Sequence, residues 1–195
     1  MVIGHRVVQG WQPEMLADVL GISYHDAPRL SPETLVARLD RILVAAQRAI
    51  TQIPDAQLDA KPPEGGRTVR HLAHHLFRLV AAFVDSIREN AFPEDWLLEE
   101  APPQMHTAAQ LAEYGAEVRR QLAEWVDAAP ADAYERTVMT YYGEQSGHAL
   151  LERTTWHAAQ HLRQLYALME RMGIHPQQPL DPADLEGLPL PRSIW

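Results

Sequence analysis

The spacing of the apolar side chains constrains this chain most. In four stretches they return at steps of three and four residues, the period of one helix face, and each stretch is far too long for a strand. The first opens on Ser31-Pro32-Glu33, a capping residue followed by proline in the first turn. It carries Leu35, Leu39, Ile42, Leu43, Ala46, Ile50 and Ile53 as far as Pro54. The second starts near Thr68, after the breaker Pro62-Pro63-Glu64-Gly65-Gly66, and carries Val69, Leu72, Leu76, Leu79, Val80, Phe83 and Ile87 to about Asn90. The third, from about Thr107 to Ala128, points Leu111, Tyr114, Val118, Leu122 and Trp125 inward. The fourth runs from Gly147 or His148 to Met172, where Gly173 and Pro176 stop it. Four amphipathic helices with modest connections predict an all-α four-helix bundle over residues 31–173.

The segments outside these stretches are rich in turn formers. Residues 1–30 read as an N-terminal arm with one short helix around Pro13 to Leu20. Residues 91–106 make a longish crossover with room for a helical turn. Residues 134–143 have strand-like composition but no visible pairing partner, so an extended loop is expected. Residues 174–195 form a proline-rich C-terminal tail, whose Leu180, Leu185, Leu188, Leu190 and Trp195 could strap the bundle or a partner subunit.

Composition removes several function classes. Seventeen Lys and Arg against 26 Asp and Glu leave a formal charge of −9, ill-suited to neutralising nucleic-acid phosphates. No apolar run is long enough to cross a bilayer, and the N-terminus lacks the features of a signal peptide. A cytoplasmic protein acting on a small molecule, with neither nucleic acid nor membrane as partner, is the expectation. Cysteine is absent, so thiolate metal sites and a cysteine nucleophile are excluded, and any thiol in the chemistry must arrive as a ligand. The zinc-protease HExxH, the nucleophile elbow GxSxG and the phosphate loop are missing, as is the ExxH repeat of carboxylate-bridged bundles.

The unusual feature is ten histidines. At about 100° per residue, His157 and His161 lie one turn apart near the border of the fourth helix's apolar stripe. Imidazoles at i and i+4 can ligate one ion without distorting the helix. On the second helix His75 is nearest the apolar centre, His71 lies about 40° further toward solvent, and His74 is well round on the outer face. Geometry therefore selects His75 to join His157 and His161, with His71 in reserve, either replacing His75 or joining it. Interior histidines of a plain helical dimer would be the structural alternative. His5, His25, His106, His148 and His175 fall in loops or at helix ends and read as surface residues.

The segment LLERTTWHAAQHLRQL, Leu150 to Leu165, resembles the signature helix of the DinB/YfiT-like superfamily of metal-dependent enzymes. RTVRHLAHHLFRL, Arg67 to Leu79, resembles the family's second motif, matching at Thr68, Val69, Arg70 and Leu72. Arg67 departs from it, standing where many members have tryptophan. The resemblance implies an up-down-down-up four-helix bundle, a three-histidine metal centre at His75, His157 and His161, and frequent homodimers. It also implies kinship with transferases and isomerases that use mycothiol, bacillithiol or glutathione.

The leading expectation is a thiol-dependent S-transferase or isomerase whose divalent ion (zinc, nickel, iron or copper suit imidazole) activates a thiol or a water. Arg153 and Arg78 are candidates to pair with a carboxylate of the thiol or substrate. Gln160, Gln164, Tyr141 and Tyr142 are candidates to orient either one. A metal-dependent hydrolase and a non-catalytic, stress-related metal- or ligand-binding module are the alternatives.

Overall fold

The computed structural model describes residues 2–3, 6–7, 13–21, 29–62 and 65–194. Four long helices dominate it: α2 (Pro32–Ile50), α3 (Val69–Glu89), α5 (Ala108–Ala128) and α6 (Gly147–Arg171). All four begin where a hydroxyl side chain precedes the apolar run. Ser31, Thr68, Thr107 and Ser146 accept hydrogen bonds from the backbone N–H groups of Thr34, His71, Gln110 and Ala149. Each such cap satisfies an otherwise orphaned donor and is worth about 1 kcal/mol. At α5 the cap is a full box, the Gln110 side chain reaching back to the Thr107 N–H. Asn90 ends α3 in the left-handed conformation (φ 52°) and Gly173 follows α6 at φ 77°.

The helices pack in the cyclic order α2, α6, α3, α5. Sequential helices α2 and α3 thus occupy opposite corners, and α6 lies between them. Leu35, Leu39, Ile42 and Leu43 of α2 and Leu76, Phe77, Val80 and Phe83 of α3 are fully buried with Leu150, Leu151 and Leu165 of α6. Removing a large apolar side chain of this kind from water contributes about 1.5–3 kcal/mol.

The N-terminal arm contains a short antiparallel pair, β1 (Val2–Ile3) and β2 (Arg6–Val7), and the helix α1 (Pro13–Leu20). His5, His25 and Trp195 lie outside the described residues. The crossover from α3 to α5 holds the helical turn α4 (Asp95–Leu98). It also holds β3 (Ala91–Phe92), and here the expectation of an unpaired loop at 134–143 fails. The strand β4 (Thr137–Thr140) pairs antiparallel with β5 (Gly143–Ser146) and parallel with β3. Along β4 the side chains of Val138 and Thr140 are buried and those of Thr137 and Met139 exposed, the alternation of a half-buried strand. Its partners escape a sequence reading because β3 is two residues long and β5 is the polar segment Gly-Glu-Gln-Ser. The bundle is thus helical with a small three-stranded sheet at one end.

The tail lies back along α2 and α6. Arg38 and Arg41 of α2 bind the Glu186 carbonyl and the Asp184 carboxylate, and the Tyr166 hydroxyl of α6 accepts from the Leu180 N–H. Leu188 is buried, and Leu180, Leu185 and Leu190 pack against the core. No helix among the described residues is long and apolar enough to cross a membrane.

Candidate metal centre

Because α6 sits beside α3, the inward histidines of the two helices face one another. The centroid of the His75 ring lies 4.9 Å from that of His161 and 6.0 Å from that of His157, edge-on to both. The His157 and His161 centroids are 4.7 Å apart. One ring nitrogen from each of the three lies within 4.8 Å of the others. Among the described residues these form the one cluster of three or more metal-ligating side chains, and it holds no carboxylate. His75 and His161 are buried and His157 is half-buried, its ring stacked on Trp156 at 5.3 Å.

Burial holds all three imidazoles neutral. It pushes His75 down to about 2, with the neighbouring His161 and Arg67 charges adding to the effect. His157 falls to about 3, through burial and then His161 and Arg153. His161 falls to about 4 through burial, opposed by a hydrogen bond to Gln164. A neutral imidazole presents one lone pair. The His75 Nδ1 and the His161 Nε2 are buried without a hydrogen-bond partner, an arrangement that costs about 1–3 kcal/mol for each such group. Neutral nitrogens, close together, unsatisfied and fixed on two helices, are what a divalent cation of intermediate softness requires.

The sequence pattern of the DinB superfamily matches residues 38–165, most of the chain and all three histidines. The chain belongs to the DinB superfamily. Solved structures share its fold, these two among them. A DinB-like protein of Bacillus subtilis, YjoA, superposes with a TM-score of 0.58 at 15% sequence identity, over 71% of this chain and 91% of that one. YfiT from Bacillus subtilis, described as a probable metal-dependent hydrolase with an unusual four-helix bundle topology, gives 0.54 at 22% identity, over 78% of this chain and 95% of its own. Among curated proteins none matches.

The other candidates of this DinB chain separate. Arg153, one turn before His157, lies 4.2 Å above the Tyr142 ring and donates to the Tyr141 hydroxyl at 3.3 Å. The turn between β4 and β5 therefore brings both tyrosines to one guanidinium, whose charge also acts on His157. Arg78 is placed otherwise: it is buried under Trp96, with Glu99 at 2.6 Å and Asp85 at 3.6 Å, so carboxylates of the chain already meet its charge. Gln164 accepts from His161 Nδ1 at 2.7 Å, and Gln160 holds the carbonyls of Ser193 and Ile194.

His71 accepts a hydrogen bond from the Ala101 N–H at 3.2 Å, so its Nδ1 lone pair secures the crossover. It also lines a cavity of about 380 Å³ with Lys61, Arg67, Thr68, Leu98, Glu99 and Glu100. His74 corrects the sequence reading. Expected on the outer face, it is buried and stacked on Tyr114 of α5 at 5.1 Å. The packing of α3 between two neighbours explains this, because a helix buried on both flanks has no outer face at that angle. His148 binds the Leu30 carbonyl, and His175 pairs with Glu170 in the open. Two features of the centre carried no sequence signal: the charge of Arg67 acting on all three imidazoles, and the stacking of Trp156 on His157.

Proposed function

We propose that this DinB protein is a metal-dependent enzyme in which His75, His157 and His161 hold one divalent cation, zinc, nickel or iron. The observation that carries the reading is the convergence of three neutral imidazoles, two with buried, unpartnered nitrogens, from adjacent helices. Three protein ligands would leave a bound cation open to a further ligand, and it would supply the Lewis acidity that lowers the pKa of a thiol or water.

The chain's own residues supply the rest. Trp156 restrains the His157 ring, and Gln164 restrains that of His161. Arg153, held over Tyr142, adds positive charge beside His157, as Arg67 does from the start of α3. Two guanidinium groups thus place positive charge beside the histidines, which favours an anionic nucleophile or an acidic group on the substrate. Since the chain has no cysteine, a thiol would be a diffusible co-substrate of the glutathione, mycothiol or bacillithiol type, and the reaction an S-transfer or isomerisation. The likeness to YfiT, described as a probable metal-dependent hydrolase, favours water as the second reading.

The experiment is turnover by untagged, zinc-loaded protein, with several low-molecular-weight thiols against electrophiles such as monochlorobimane, and in parallel against activated esters and amides. S-conjugation that disappears in His157→Ala supports the thiol reading. Hydrolysis lost in the same variant supports the second. A full metal site with neither activity identifies a binding module instead.

A further inference from the structure

We propose that the end of the chain is a working part of the metal centre: the Ile194 carbonyl orients the Gln164 amide, and Gln164 thereby selects which nitrogen of His161 faces the cation. This rests on the three-histidine reading above and adds a positioning residue and its anchor. The side chains of Gln160, Arg163 and Gln164, all on α6, grip the tail. Gln160 Nε2 donates to the carbonyls of Ile194 at 2.7 Å and Ser193 at 3.3 Å. Arg163 donates to the Pro191 carbonyl and to Gln160 Oε1, each at 2.8 Å. Gln164 Nε2 donates to the Ile194 carbonyl at 2.9 Å.

The consequence follows from donor and acceptor chemistry alone. A backbone carbonyl can only accept, so it takes the NH₂ end of the Gln164 amide. That leaves Oε1 facing His161 Nδ1 at 2.7 Å. An amide oxygen also only accepts, so Nδ1 must carry the ring proton and Nε2 must carry the lone pair. Nε2 is the atom found buried without a partner, on a ring whose centroid lies 4.9 Å from that of His75 and 4.7 Å from that of His157. One main-chain carbonyl, thirty residues further along the chain, thus fixes the tautomer of a ligand. Partners of this kind typically change metal affinity about 10–100-fold when removed.

The test uses the full-length untagged protein, zinc alone as the probe, and ¹⁵N shifts of the His161 ring, assigned by loss in His161→Gln. In the metal-free wild type we expect a protonated Nδ1 and a bare Nε2. Gln164→Leu loses that preference and binds zinc about 10–100-fold more weakly, at an unchanged circular-dichroism spectrum. Gln164→Glu keeps an acceptor for Nδ1–H and so keeps the tautomer. Deleting residues 193–195 weakens zinc binding and mixes the tautomers in the wild type, yet leaves both unchanged in Gln164→Glu, which no longer depends on the carbonyl. An Nε2–H ring in the wild type, or zinc binding unaltered by Gln164→Leu, overturns the proposal; a deletion without effect in the wild type overturns the tail's part in it. Absence of zinc binding in the wild type would sink the metal reading instead, while the ring shifts still decide the relay.

Discussion

Four desolvated imidazoles make the metal-free protein sensitive to acid. Burial first, and then neighbouring groups, place His75 at about 2 and His157 at about 3; burial, opposed by the Gln164 hydrogen bond, places His161 at about 4, and burial sets His74 at about 4. In the unfolded chain each would titrate near 6.5. Below that pH the unfolded state takes up protons that the folded state refuses, so stability rises with pH across the window from about 4 to 6.5. Each histidine contributes up to ~1.4 kcal/mol per pH unit to that slope. Denaturant melts of chelator-treated protein at pH 7.5 and pH 5.5 should show a marked loss at the lower pH. His75→Gln should reduce the difference, and equal stability at both pH values would contradict the assignment. Zinc should protect the wild type against acid, because a coordinated imidazole resists protonation.

At the level of elements, the sequence foretells the four long helices because each couples a hydroxyl cap to a sustained apolar period. The clustering of the three histidines is legible for the same reason: His157 and His161 keep the helical step, and His75 lies on the apolar stripe of α3. What escapes is set by tertiary contact. The strand β4 pairs with the polar β5 and with two residues just beyond α3, and His74 is covered by a Tyr114 that no local pattern brings near. A further contact of this kind is the close approach of α5 to α3 at Gly115, where an added Cβ would overlap the fully buried Phe77 ring. Alanine is the better helix former by about 1 kcal/mol, yet overpacking a tight core costs about 1–3 kcal/mol. Gly115→Ala should therefore lower the melting temperature, and a rise would show that α3 and α5 pack less tightly than described.

For the whole molecule, the order of the helices around the bundle matters more than their number. A ring that followed chain order, α2, α3, α5, α6, would put α3 and α6 at opposite corners and separate His75 from α6; the observed order brings α6 against α3 and closes the cluster. That order is invisible in the periodicity of any single helix, and here the family resemblance supplied what residue spacing alone left open. The tail adds its own closure, since its leucines cover the chain's own core and the carbonyls of Ser193 and Ile194 reach the helix that bears two of the three clustered histidines. X-ray absorption at the zinc edge of untagged, zinc-loaded protein tests the central claim most directly. The account predicts one zinc per chain in a light-atom shell at about 2.0–2.1 Å, with the multiple-scattering signature of three imidazoles, falling to two in His75→Ala. A centre without imidazole scattering, or one that His75→Ala leaves unchanged, would contradict it.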